Sequence, residues 1–470
     1  MSPSGEPGPP PQEAAVDLVV AGAGGGLAGA LRAAEAGLEV LVIEASENFR
    51  RGNNTSMSTA MIPGAGTRWQ REAGLEDSPE LFLSDVMAKT GGQADAVLSE
   101  ALTDFSAELV TWLAEGLDLP VELAPDISYP GHSVTRCHTV PSRTGAEMLD
   151  HLITRARQHP NIDFLVPARL TTVRTHQGRV CSAIAEYPDG STEEIPTRAL
   201  LLACNGYGAD SHAVRELMPE IADAVYHGGE HSRGDALRIG AELGAATGYL
   251  DAYQGHAALA RGAGTLVGWA TIMHGGVLVD TRGLRFGDET VGYSEYAAAL
   301  AARPGSGGWI VFDQRVHELC LAFGDYRDTV AQGVVLTAQD PTELAQACGL
   351  PVEALTDTLE RAAHSAKGDV SDEFGRSNWE APLRPPYRAV RVEPALFHTQ
   401  GGLVVDGHAR VLRKDDSPIT GLYASGGAAI GISGHGAGGY LAGNGLLPAL
   451  GLAVLAADHC RGLSPAQHKS

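Results

Sequence analysis

The chain has 470 residues, 44% hydrophobic and 19% charged, a globular composition with room for about two to four domains. Its 34 basic against 57 acidic side chains leave a formal charge of −23, which repels nucleic-acid backbones and anionic lipid surfaces. No apolar run reaches the roughly 18 residues of a membrane span, so neither a nucleic-acid partner nor a membrane span is expected.

Residues 1–16 open Pro-rich, with no cationic stretch leading into an apolar one, and read as a disordered tail without an export signal. The ordered chain begins with the strand Asp17-Leu18-Val19-Val20, a Gly-rich turn from Gly22 to Gly26, an Ala-rich helix from Leu27 to Ala36 stopped by Gly37, and the strand Val40 to Ile43 ending in Glu44. Pro79 to Asp118 is helical in pattern, and Ala146 to Arg157 is a short amphipathic helix closed by His159-Pro160. Strands follow at Asp163 to Val166, Leu170 to Val173, Val180 to Tyr187 and Ala199 to Ala203. From about Tyr226 the character changes. A helix at Gly234 to Gly244, strands at Val277 to Val279 and Ile310 to Phe312, and two helical runs between Pro341 and Ala366 suggest an inserted domain over 226–386, left through Pro385-Pro386. The last part carries strands Leu403 to Asp406 and Ile419 to Ala424, then a Gly-rich loop into a helix from Asn444 to Cys460. The six cysteines are scattered without CxxC or Cys/His ligand spacing. Reduced thiols, a cytoplasmic setting and no metal are therefore expected.

A turn that precedes a helix presents backbone N–H groups and the positive end of the helix dipole to a pyrophosphate, and an acid ending the next strand suits a ribose hydroxyl. Glu44 is that acid. The glycines allow two registers: counted back from Glu44, the usual first two fall on Ala21 and Ala23 with Gly26 third, and a loop shifted by one uses Gly22 and Gly24. A second GxGxxG at Gly434, Gly436 and Gly439 lacks a following strand and acid, so a nicotinamide site is not expected.

An ordered series of segments resembles the FAD-dependent fumarate reductase and succinate dehydrogenase flavoprotein superfamily, especially its soluble branch of 3-ketosteroid dehydrogenases and similar desaturases. It comprises Gly22 to Glu44, Asn53 to Thr59, Ala203 to Tyr207, Gly276 to Glu289, His398 to Gly402, Gly421 to Gly426 and Gly443 to Leu446. The resemblance implies an α/β fold: a Rossmann-like FAD-binding domain of glutathione-reductase type over 17–225 and 387–470, with an α+β capping domain inserted. It implies FAD contacts from Gly22, Ala23, Gly24, Gly25, Gly26, Glu44 and Ala45, and from Asn54, Thr55, Ser58 and Thr59. Ala168 is implied beside adenine, with Ala203, Asn205, Gly206 and Gly426 along the cofactor, and the helix start at Asn444, Leu446 and Leu447 directing N–H groups at the flavin. The Asn54 to Thr59 loop contains no His, so the family's covalent flavin link is missing and noncovalent FAD is expected. Gly427 stands where the family usually has an acid or Asn.

Interconverting a CH–CH and a C=C bond beside a carbonyl needs a hydride carrier, a proton base or acid on the opposite face, and donors for the enolate oxygen. Where the resemblance places the proton-handling Arg of fumarate reductases, four residues after Glu289, this chain has Tyr293, like the ketosteroid dehydrogenases. Where it places a carboxylate-clamping Arg, the chain has Tyr440. Two phenols can polarise a ketone but do not neutralise a dicarboxylate. Tyr293 as base requires neighbours that lower its pKa from about 10. His398 matches a substrate-side His, and Gly445 or Asn444 would offer a backbone N–H. His256 lies near another substrate His of the family, Tyr129 is the aromatic candidate for the pocket, and Arg136 or Arg143 would clamp a single carboxylate. The reading is an FAD-dependent dehydrogenase that desaturates a cyclic ketone, steroid-like or an oxocyclohexane acid, and passes electrons to an unidentified acceptor. The alternative is a soluble fumarate- or tricarballylate-type carboxylate oxidoreductase.

Overall fold

The computed structural model describes residues 15–125 and 129–462. Strands covered on both faces must be apolar throughout, and β1 (Leu18–Ala21) and β2 (Val40–Ile43), joined by helix α1 (Gly26–Glu35), are of that kind. Helices α2 (Pro79–Lys89) and α3 (Ala96–Thr111) begin at the side-chain caps Ser78 and Asp95. Strands β3 (Ile162–Leu165), β4 (Arg169–His176), β5 (Arg179–Glu186) and β6 (Leu200–Leu202) follow. The inserted region supplies β7 (Tyr253–Ala260), β8 (Val277–Asp280), α4 (Tyr293–Ala301), β9 (Gly308–Asp313) and β10 (Tyr387–Thr399). The chain returns through β11 (Pro418–Ala424) to α5 (Leu446–Arg461).

The larger sheet has nine strands, with the path β3-β2-β1-β6-β11-β5-β4. Its first five strands are parallel, in register Leu18↔Val40, Val19↔Leu200 and Leu200↔Leu422. Helix α1 packs between this sheet and α5. Gly29 makes that packing close, since a Cβ there would lie 2.7 Å from the Ala453 carbonyl oxygen. The smaller sheet has six strands and is centred on β10, which pairs with β7, β9, Val225–Tyr226 and Leu336–Ala338, while β8 pairs with β9.

Four sequence expectations shift. The capping sheet takes in all of β10, so it extends past the expected exit at 386, and it begins at Val225 rather than 226. The patterns gave no strand at β10 because Pro394 sits in its middle. Pairing with β7 is irregular there, slipping between His256 and Leu259, and this accommodates a residue without an N–H. Most of the expected tail lies outside the described residues, but Val16 already bridges to Thr197 and belongs to the folded body. The helical stretch of 79–118 divides at Gly91-Gly92, both at positive φ, into α2 and α3.

Candidate active site

A cavity of about 720 Å³ runs from the β1–α1 turn to the junction with the capping sheet. Its two ends are built differently.

At the first end the wall is mainly backbone. Gly22 leaves β1 at φ +114°, and a Cβ there would lie 2.4 Å from the Ala203 carbonyl oxygen. This settles the register: Gly22 makes the tight turn, Gly24 and Gly25 line the cavity, and Gly26 packs against Val20 and Ala203. Helix α1 has no acid in its first turn, so its positive end faces the cavity uncompensated. Ala23 is a correction: it is not on the wall, and its N–H donates to Glu44 Oε2 at 2.8 Å. Glu44 Oε1 accepts from the Ser46 N–H at 2.8 Å, so the carboxylate is held rigidly at the mouth of the turn. Ala45, Ala168, Ala203, Asn205, Gly426, Asn54, Thr55, Ser58 and Thr59 are all on the wall. Asn205, at φ +64°, directs its amide to Asn54 Oδ1 (3.1 Å) and Ser232 Oγ (2.9 Å). Asn54 in turn accepts from the Gly229 N–H and donates to the Phe397 carbonyl, tying the two sheets together across the cavity.

Two more expected contacts are corrected. Gly206 is off the wall, packed where a Cβ would strike Thr399 Oγ1. Leu447 is buried off the wall, and its N–H is bonded to the Gly443 carbonyl. Leu446 and Gly445, at the start of α5, do line the cavity.

This end fits the adenosine and pyrophosphate of FAD: a glycine cradle, a helix N-terminus and a fixed carboxylate, in that order. Further along, the buried Asn444 Oδ1 and Thr399 Oγ1 have no protein partner. Orphaned polar atoms on a cavity wall are what a polar ring system would satisfy.

At the second end the wall is side chains from four separate elements. Tyr293 opens α4, with Gly292 at φ +147° before it. Ser294 Oγ accepts from the Gly255 N–H at 3.0 Å and pins α4 to β7. His256, from β7, stacks between Tyr293 (ring centroids 4.8 Å apart) and Phe397 (5.4 Å), and its Nδ1 accepts from the Ala258 N–H. It is 6% exposed and on the cavity wall, not a surface group. Burial pushes its imidazole down to about 3. The Tyr293 and Tyr440 rings meet edge to face at 5.9 Å, and His398 meets Tyr440 at 5.8 Å. The Gly445 N–H and the Tyr293 hydroxyl face the Tyr440 oxygen, and both work against the rise in its pKa. A Cβ on Gly445 would lie 2.9 Å from His398 Nε2 and 3.4 Å from Tyr440 Oη, so only glycine lets backbone, imidazole and phenol converge. The Asn444 N–H, the other backbone candidate, is bonded to the Leu441 carbonyl.

The electrostatics of this end contradict one expectation. Nothing lowers the pKa of Tyr293: burial raises it well above 10, and Tyr440, Tyr129, Cys137 and Glu295 act in the same direction. Tyr440 is also raised by burial. Both are firmly neutral phenols. Burial likewise pushes His398 down to about 4.

Arg136 is not a substrate clamp. It is 1% exposed, absent from the wall, and gives its guanidinium to Asp77 (3.0 and 2.9 Å) and to Asp85 while lying over the Phe82 ring. Arg143 is on the wall, its guanidinium 5.1 Å from the Phe323 ring, and Tyr129 is there too. Glu289 is a structural hub, buried between Arg285 (2.8 Å) and Arg376 (3.2 Å). Sequence reasoning missed Trp269 and Phe397 on the wall, and it missed Lys89. Lys89, at the end of α2, donates to the Val291 carbonyl at 2.8 Å and pairs with Glu295, so it grips α4 on either side of Tyr293. No motif marks these residues, because only the fold brings them to the site.

The FAD binding domain family matches residues 17–446. The chain belongs to this family and is an FAD-dependent oxidoreductase. It is 28% identical over 423 residues to the NADH:fumarate oxidoreductase of Klebsiella pneumoniae (strain 342), covering 89% of this chain but 45% of that protein. It is 29% identical over 305 residues to the 3-oxosteroid 1-dehydrogenase of Mycobacterium tuberculosis, covering 56% of this chain and 52% of that one. Thus the chain spans about half the length of these two relatives. A flavocytochrome c3 fumarate reductase in its open conformation superposes with a TM-score of 0.80 at 26% identity, over 95% of this chain and 78% of that one. Among the described residues no helix is long and apolar enough to cross a membrane, and no cluster of three or more His, Cys, Asp or Glu is placed to hold a metal.

Proposed function

We propose that the chain desaturates a cyclic ketone, steroid-like or an oxocyclohexane acid, forming the C=C bond α,β to the carbonyl, with noncovalently held FAD and an unidentified electron acceptor in the cytoplasm. The observation that carries this reading is the convergence of neutral donors, the Tyr440 hydroxyl, the Gly445 N–H and His398, on one point beside Tyr293. Arginines on the wall lie elsewhere: Arg51 beside Asp150, Arg169 beside Asp235, and Arg143 against Phe323.

Bound FAD supplies the acceptor for the hydride that leaves the β-carbon. The α-proton goes to the Tyr293 phenolate, restoring the neutral phenol, and the two electrons of that C–H bond form the new double bond. As the proton leaves, negative charge grows on the ketone oxygen, and Tyr440, with the Gly445 N–H once a ketone oxygen replaces the Tyr440 oxygen as its acceptor, stands where it develops. Stacking on His256 fixes the Tyr293 ring, and Lys89 and Ser294 fix the helix end that carries it. Because burial raises the Tyr293 pKa, its phenolate is scarce at neutral pH and strongly basic once formed. The same raised pKa keeps Tyr293 protonated at neutral pH, so the proton that the reverse direction needs is in place, held by a weak acid.

Anaerobic mixing tests the assignment. Saturated cyclic ketones should bleach the flavin absorbance, whereas succinate and tricarballylate should not. Efficient fumarate reduction by reduced dye, with no bleaching by any cyclic ketone, would transfer the assignment to the carboxylate oxidoreductases, which the fumarate-reducing relatives favour. Arg143 is on the wall against Phe323, so a ketone bearing one carboxylate is the substrate to compare with the uncharged ketone within the class. Acid precipitation should leave the yellow colour in the supernatant, as noncovalent attachment requires.

A further inference from the structure

His398 reaches the donor cluster through Nε2, and what this nitrogen can do depends on where the ring's single proton sits. Its Nδ1 lies 3.1 Å from Gln400 Nε2 and 3.2 Å from the Thr399 carbonyl oxygen. The first neighbour is a donor and asks for a bare Nδ1; the second is an acceptor and asks for Nδ1–H. The environment of Gln400 decides between them. Its Nε2 also faces the Asn444 carbonyl at 3.5 Å, which only the nitrogen end of the amide can satisfy. Its Oε1 accepts from Ser433 Oγ at 2.9 Å, and Ser433 accepts from Asn444 Nδ2 at 3.2 Å. Gln400, Ser433 and Asn444 are all at least 95% buried, so water does not compete for these bonds. The chain Asn444 to Ser433 to Gln400 therefore has one direction, and it ends with the Gln400 Nε2–H donating a hydrogen bond to His398 Nδ1.

We propose that Gln400 is a positioning residue that keeps the proton of neutral His398 on Nε2, making the imidazole a third hydrogen-bond donor beside Tyr440 and the Gly445 N–H. The tautomer follows from the hydrogen-bond chain alone; its use on a ketone oxygen rests on the function proposed above. Against the opposite tautomer, Nε2 would present a lone pair to the same oxygen and repel it. Tyr440 is the titratable group facing the ring, and Thr399 and Gly445 are the backbone neighbours. Burial keeps the imidazole neutral through the working range.

The experiment is nitrogen-15 NMR of histidine-labelled holoprotein, with the His398 signals assigned by their loss in His398→Gln. Wild type should show a protonated Nε2 and a bare Nδ1 through neutral pH. In Gln400→Met the Thr399 carbonyl becomes the remaining partner, so the proton should move to Nδ1, and ketone turnover should fall by about tenfold or more, in line with loss of one oriented donor. In Gln400→Glu, a same-size change that keeps the packing against Gly431, the carboxylate should hold a second proton on Nδ1 and raise the pH at which His398 titrates. A wild-type proton on Nδ1, or a tautomer that does not move in Gln400→Met, would overturn the proposal. The expected spectra combined with absent ketone turnover would leave Gln400 as the positioning residue and sink the substrate reading alone.

Discussion

The nucleotide end and the substrate end of the cavity are made of different material. The first is backbone: a glycine at φ +114°, a helix N-terminus and a carboxylate held by two N–H groups, all within Gly22 to Ser46. The second is side chains: Tyr293, His256, His398 and Tyr440 come from α4, β7, β10 and the loop before α5, far apart in sequence. Backbone geometry is imposed locally and tolerates little change, so the cofactor end should be brittle. Side-chain chemistry can be exchanged on a constant frame, so the substrate end is where a superfamily changes its reaction.

Variants that strike one end only are the means of testing this division. Gly22→Ala should have the largest effect, since it combines strained φ, costing about 1–3 kcal/mol, with a methyl group pressed onto the Ala203 carbonyl. The purified variant should carry little or no flavin; a fully yellow Gly22→Ala protein would refute the backbone account of that end. Tyr293→Phe should show the opposite pattern, with full flavin content and turnover lower by about 10²-fold or more. Wild-type turnover in this variant would remove Tyr293 from the chemistry.

Next in size is the pH profile. A raised Tyr293 pKa means that the phenolate fraction, and with it desaturation, should climb by up to about tenfold per pH unit through neutral and mildly alkaline pH, without a plateau below about 10. A plateau near neutrality would point to a different base.

Lys89→Met should act on stability and cap placement more than on chemistry. Burial raises the Glu295 pKa while Lys89 draws it down. With Lys89 gone the folded-state pKa rises further, so the folded protein binds the proton more tightly than the unfolded chain. The variant should therefore lose melting temperature most at alkaline pH, and recover as pH falls through the raised Glu295 value toward the ordinary carboxylate range. A loss independent of pH would separate Lys89 from Glu295. Smallest should be the effect of Arg136→Lys on KM: the bidentate pairing with Asp77 is lost and stability falls, while KM for substrate stays unchanged. A large rise in KM would restore Arg136 to the pocket.

What the sequence made legible follows the same division. Strand, turn, helix, strand and acid at the nucleotide end are consecutive, so their spacing carries the geometry; only the glycine register is decided by the fold, through the close approach of Gly22 to Ala203. Tyr293, Tyr440, His398 and Gly445 were reached through family motifs, and the fold brings them together. Arg136 and Arg143 looked equivalent in one loop, yet Asp77 and Asp85 bury the first while the second faces the cavity. That choice is made by residues 59 and 51 positions away, beyond local pattern. Lys89 and Trp269 carry no local signal at all, and Pro394 concealed the strand that delivers His398 to the site.

The central claim is that neutral donors at this point polarise a ketone oxygen. Its most direct test is the infrared carbonyl stretch of carbon-13-labelled 2-cyclohexenone bound to the oxidised protein. The stretch should move to lower frequency than in water, and the movement should shrink in Tyr440→Phe. A bound carbonyl that vibrates as it does in water, or a downshift unaltered by loss of the Tyr440 hydroxyl, would contradict the account.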